Sequence, residues 1–353
     1  MLEFLGEPMV VFIIGLGGGL LLGLAARLGR FCTLGMIEDA HFGQDLSRAW
    51  MWLLALGTAM IAGFAAEAAG YIDLGQTMLL SSRFSVAGAV LGGLAFGYGM
   101  ALAGNCGFGL LARLGGGDLR ALVVALVMGV AGFAALSGIF ATIRAGLFPI
   151  LPASAPNGLF HLAADVSGLA APVLGITCGL AMAAFAAIRL QRAGALKMLA
   201  YGVLAGVAIS SGFLGTYWVA NTGFGTWPVI SHSFTQPIGD TIRYVMFASV
   251  VDPGFGLGSV LGVVLGGTLG SLIKDGFRWE ACEDHRELRR QMAGGALMGI
   301  GAVLAAGCSV GQGLSALSIA AVNAPLVAVS IWLGAWLGLR KLILGAHAVF
   351  GAE

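Results

Sequence analysis

Apolar runs long enough to span a bilayer dominate this chain and decide what it can fold into. They recur at roughly 9–27, 50–69, 85–105, 119–140, 170–188, 197–215, 257–274, 293–307 and 316–339. A helix needs about 20 apolar residues to cross the hydrocarbon core. The 353 residues are 58% hydrophobic and only 10% charged, with mean hydropathy +0.94, whereas soluble domains carry about 25% charged residues. The expected fold class is an all-α polytopic membrane protein of about nine transmembrane helices, with the lipid bilayer as its partner. A net charge of +1 gives no basic excess for nucleic acid. The opening MLEFLGEPMVVFIIG lacks a basic start and a small-residue cleavage site, so it reads as the beginning of the first span.

Cations fix the expected orientation. Arg27, Arg30 and Arg48 fall between the first two spans, and Arg113 and Arg120 between the third and fourth. Arg189, Arg192 and Lys197 follow the fifth span; Lys274, Arg278, Arg286, Arg289 and Arg290 follow the seventh; Arg340 and Lys341 follow the ninth. All lie on one side if the N-terminus is outside and the C-terminus cytoplasmic, in a bacterial inner membrane. The opposite loops hold only Arg83, Arg144 and Arg243. Loops 141–169 and 216–256, interrupted by Pro149, Pro152, Pro156, Pro228, Pro237 and Pro253, belong outside, with parts folding back into the protein.

An internal repeat runs through the chain. GGLAFGYGMALAGNCGFG at 92–109 and GGALMGIGAVLAAGCSVG at 294–311 align without a gap, sharing Gly92/Gly294, Gly99/Gly301, Leu102/Leu304, Cys106/Cys308 and Gly109/Gly311 among others. A weaker echo pairs GRFCTLG at 29–35 with ANTGFG at 220–225, and Asp45/Arg48 with Asp240/Arg243. An odd number of crossings separates the strong copies, so they point in opposite directions. Inverted repeats of this kind place their sites near the midplane at broken helices. The expected organisation is one transmembrane domain over 1–353, with a first repeat at about 10–140, a connecting segment at 141–196 and a second repeat at about 197–341. The eighth run offers only about 15 apolar residues, roughly 22 Å of helix and short of a full crossing.

Three of the five cysteines, Cys32, Cys106 and Cys308, share the pattern C-x-x-G at the end of an apolar run. Glycine lets the chain bend there, and a new helix beyond the turn presents unpaired N–H groups that attract anions. A thiol is a soft, weak S–H donor, mostly neutral at pH 7. It can touch a divalent anion without repelling it, which matches an anion whose outer atom is sulfur. Packing is the competing reading, since cysteine is also a small gap-filling hydrophobe. Cys178, within the fifth span, fits packing, and Cys282, in WEACEDHRELRR, fits a surface thiol. Asn105 and Asn221 precede equivalent turns, where each can bond substrate oxygen or cap the next helix. Gln312 and Ser315 flank the Cys308 turn with the same two options. Glu67 and His41 read as interfacial. No two cysteines form C-x-x-C, so neither a metal site nor a thiol-exchange motif is expected, and no cofactor or catalytic residue is assigned.

Through GRFCTLGMIEDA, GNCGFGLLARLGGGDLRAL and GCSVGQGLSALS, the sequence resembles the YeeE/YedE family of bacterial membrane proteins, the sulfur-transport family. The resemblance implies an inverted-repeat membrane fold and uptake of thiosulfate. It further implies a relay of thiols that hydrogen-bond the substrate's sulfur in turn, a role carried over to Cys106, Cys308 and Cys32. It also suggests a cytoplasmic sulfur-carrier or sulfurtransferase protein as partner, and it includes relatives linked to selenium compounds. The family's thiosulfate carriers are expected to have a further central cysteine in the second half. The nearest repeat position in this chain holds Thr222. Two other functions remain open from the residues: a passive channel for a small solute or anion, and a membrane thiol oxidoreductase or sulfurtransferase.

Overall fold

The computed structural model describes residues 6–81, 84–148, 158–274, 276–282 and 284–344, so Arg83, Pro149, Pro152 and Pro156 lie outside the described residues. The apolar runs form helices throughout. In the first half these are α1 (Glu7–Gly29), α2 (Thr33–Glu38), α3 (Ser47–Ala68), α4 (Val86–Ala103), α5 (Gly107–Leu114) and α6 (Leu119–Leu136). Between the halves come α7 (Ala141–Leu147), α8 (Leu159–Ser167) and α9 (Ala171–Arg192). The second half holds α10 (Leu196–Thr222), α11 (Thr235–Phe247), α12 (Phe255–Ile273), α13 (His285–Leu304) and α14 (Ala324–Leu344), with a wide helical turn at Gly311–Ala316. α2 likewise continues into a wide turn, Asp39–Gly43.

The protein is thus an all-α polytopic membrane protein. Among the described residues, 8 helical segments are long and apolar enough to cross a membrane. The ninth expected span, 293–307, falls in α13, whose first turns carry His285, Arg286, Glu287, Arg289 and Arg290 and leave a shorter apolar remainder. The last span also starts later than expected, at Ala324, because residues 311–316 form a separate turn.

Helices meet through glycine. In lipid no hydrophobic force draws helices together, so close backbone contact must do it, and glycine permits that contact. A Cβ on Gly92 would sit 2.7 Å from Gly301 O, and one on Gly294 would sit 2.7 Å from Gly99 O. α4 and α13 therefore cross antiparallel on four glycines. Shifting residue numbers by 202 turns the first of these contacts into the second. α1 and α12 run side by side in parallel, with Gly258 packed on Phe12, Gly262 on Leu16 and Gly270 on Arg27.

Basic residues of separate loops gather at one end of the bundle. Arg27 donates to Gly276 O at 2.9 Å, Lys274 to Leu28 O at 2.8 Å, and Arg120 pairs with Glu280 at 3.1 Å. The guanidinium of Arg189 lies 5.6 Å from the Trp50 ring centre. At the opposite end α8 closes over the bundle, with Leu159 N–H bonded to Ala320 O at 2.7 Å and Phe160 packed edge-on to Phe64 at 5.5 Å.

Candidate functional site: a thiol cluster at broken helices

Each thiol turn interrupts a helix by the same means. α4 stops at Gly104, whose φ of 73° is the left-handed geometry that favours glycine. The chain then doubles back through Asn105, and Cys106 caps α5, its sulfur accepting Gly109 N–H at 3.4 Å. α13 stops similarly, with Ala306 at φ 54° and Gly307 at φ 155°. Cys308 accepts Gly311 N–H at 3.3 Å. α1 ends in left-handed Arg30, and Cys32 stands at the N-cap of α2. In all three places sulfur occupies the start of a helix, where backbone donors lack partners.

The turns converge. Cys32 Sγ donates to Asn105 Oδ1 at 3.2 Å and also lies against the Cys106 thiol. The Ser309 hydroxyl reaches Cys106 from the Cys308 turn. Cys308 Sγ in turn accepts Phe234 N–H at 3.4 Å and meets Ser233 Oγ at 3.5 Å. Cys32, Cys106, Ser309, Cys308 and Ser233 therefore form one contiguous string. Cys106 and Cys308 are 0% and 2% exposed, so the string lies in the protein interior. Phe31, Phe108 and Phe234 wall it, with ring centres 6.4 Å and 5.1 Å apart in succession, and Trp52 stacks on Phe31 at 5.4 Å. The Arg113 guanidinium, in the last turn of α5, acts electrostatically on Cys32.

Of the residues singled out from sequence, Cys32, Cys106, Cys308, Asn105 and Gln312 come together here. Gln312 is 1% exposed, and its amide nitrogen bonds Ala306 O at 2.7 Å, tying the turn that carries Cys308. Asn221 and Thr222 do not join them. Both are exposed in the last turn of α10, bonded back to Tyr217 O at 3.0 Å and Trp218 O at 2.6 Å. These bonds to the preceding turn lie within α10, which runs on past the expected 197–215 to Thr222. The chain re-enters through 223–234, and α11 starts at Thr235. Under the 202-residue shift Cys32 falls on Phe234, in this segment.

Arg48 pairs with Asp39 at 2.9 Å. Cys178 meets Met182 Sδ at 3.9 Å and Cys282 is exposed, both away from the string. Sequence reading missed Ser233, Phe234, Ser309 and His232. His232 is 0% exposed, and its Nδ1 lies 2.7 Å from Ser259 Oγ, anchoring the re-entrant segment to α12. The 202-residue shift, applied beyond the glycine motif, would have pointed to this segment. Among the described residues no three His, Cys, Asp or Glu side chains are grouped to hold a metal ion.

A bundle of apolar helices, with broken helices whose starts carry thiols in the interior, defines a polytopic membrane protein with an interior thiol site. The chain matches the family model for sulphur transport over residues 28–337 and belongs to that family. It is 26% identical to the thiosulfate transporter TsuA of Escherichia coli (strain K12) over 351 residues, covering 95% of this chain and 92% of the relative. It is 27% identical to the thiosulfate transporter TsuA of Spirochaeta thermophila over 329 residues, covering 91% and 96%.

Proposed function

We propose that this protein takes up a small sulfur-containing anion, thiosulfate foremost, across the bacterial inner membrane by passing it along Cys32, Cys106 and Cys308. The observation that carries the reading is the contiguous string that joins half-buried Cys32 to buried Cys106 and Cys308, each thiol at a helix start. Helix starts attract negative charge, and a neutral S–H donates to a soft sulfur terminus without fixing it covalently. Weak donors in sequence let an anion move on. The two relatives named as thiosulfate transporters support the choice of cargo.

The halves, about 10–140 and 197–341, act as two repeats joined by 141–196, in keeping with the interchange of glycine contacts under the 202-residue shift. The basic end faces the cytoplasm by the positive-inside tendency, which puts the N-terminus outside. A cytoplasmic sulfur-carrier or sulfurtransferase protein would consume the delivered anion and draw uptake forward. The test is uptake of labelled thiosulfate, against sulfate, into liposomes holding the purified protein. Accumulation of thiosulfate alone supports the reading, and equal permeation of both favours a passive channel.

The contact between Cys32 and Cys106 also suits thiol chemistry, as a membrane oxidoreductase or sulfurtransferase. That alternative requires a persulfide or disulfide to form in turnover. Intact-protein mass measured after exposure to thiosulfate separates the two, and the relay requires an unchanged mass.

A further inference from the structure

We infer that the hydroxyls of Thr33 and Thr235 bind the oxygen-bearing end of the transported anion while the thiols take its sulfur end. The inference rests on the transport reading above and goes beyond it by naming the groups that recognise the second end of the substrate.

Threonines inside these helices normally bond back to the preceding turn. Thr58, Thr216, Thr241 and Thr268 reach Leu54 O, Gly212 O, Pro237 O and Val264 O at 2.7–2.9 Å. Thr33 and Thr235 are different. Each is the first residue of its helix, so no helical carbonyl lies one turn behind it. They are 7% and 3% exposed, yet the Oγ1 of each has no hydrogen-bond partner. A buried hydroxyl left unpaired is costly, and such groups call for a ligand or another explanation.

Their placement supplies one. Thr33 follows Cys32 directly, and Thr235 follows Phe234, whose N–H bonds Cys308. Thr235 Oγ1 would stand 3.9 Å from a Cβ on Gly107, so it reaches the Cys106 turn. The shift of 202 that carries Cys106 onto Cys308 also carries Thr33 onto Thr235. Two unpaired hydroxyls therefore flank the thiol string, one from each half. A hydroxyl is a harder and stronger donor than a thiol. It suits the sulfonate-like oxygens of an anion whose other end is a bare sulfur. Together the two donor types select for an anion with both ends.

The experiment uses full-length protein in liposomes, with labelled thiosulfate as the probe and the variants Thr33→Val, Thr235→Val and the matching serines. Valine keeps the shape and removes the hydroxyl. Hydrogen bonds to charged groups predict about a tenfold or larger rise in KM for each valine variant. They also predict near-background uptake for the double variant and retention of uptake by serine. Thermal stability should stay level or rise, because an unpaired buried hydroxyl has been removed. Valine variants with wild-type KM and kcat would overturn the inference. So would loss of uptake that tracks loss of stability and is not rescued by serine. If the wild-type protein neither transports nor binds thiosulfate, the transport reading falls and this inference with it. Wild-type uptake with indifferent valine variants removes the hydroxyls alone.

Discussion

Cysteine at a helix start combines two weak attractions for an anion, a backbone donor cluster and a polarizable S–H. The five cysteines of this chain differ in whether they have both. Cys106 and Cys308 are buried caps whose sulfurs accept backbone N–H groups, while Cys32 is half-buried and its S–H donates a hydrogen bond to Asn105 Oδ1. Serine at position 32 should preserve that donation and leave partial uptake. Cys178→Ser and Cys282→Ser should leave uptake at the wild-type level, since neither sulfur touches the string. Labelled uptake per folded molecule checks this, and a severe loss at position 178 would extend the site into α9. The placement of these thiols at helix starts was partly legible in the sequence, because C-x-x-G recurs at matching places. Asn-Thr-Gly resembles a turn, and the structure places Asn221 and Thr222 in the exposed last turn of α10, bonded back to Tyr217 O and Trp218 O.

At the level of elements, the long helices follow the apolar runs closely, whereas the short ones do not announce themselves. α2 has 6 residues and α11 has 13, too few for a span, and α11 contains Asp240 and Arg243. Tertiary burial, not composition, holds such pieces in place. α8 offers a titratable element. Its His161 Nε2 lies 3.5 Å from Glu67 Oε1, with Asp73 and Asp165 also acting on the ring. The hydrogen bond to Glu67 raises the His161 pKa above its ordinary 6.5. A raised folded-state pKa stabilises while the ring is protonated. The contribution is full below pH about 6.5 and is lost as pH climbs through the higher folded value. The melting temperature of the wild type should therefore decline across that window, and Glu67→Gln should flatten the decline. An identical pH dependence in both proteins would remove the ion pair from the account.

On the scale of the whole molecule, one bundle end collects Arg27, Arg120 and Lys274 with their partners, and the other carries α8. Reporter fusions after Lys341 and within 276–290 should both register in the cytoplasm. An external signal at either place would reverse the orientation and the direction assigned to uptake. The general architecture was legible because a bilayer admits so few backbone solutions. What sequence could not give was the convergence of four separated turns, which depends on how glycine faces such as Gly92–Gly301 let helices approach. If buried thiols hand on a sulfur anion, the double variant Cys106→Ser/Cys308→Ser in liposomes must lose uptake. Hydrogen bonds to charged groups predict at least about a tenfold fall in thiosulfate uptake per correctly folded molecule, with the fold intact. Wild-type uptake by that double variant would contradict the relay.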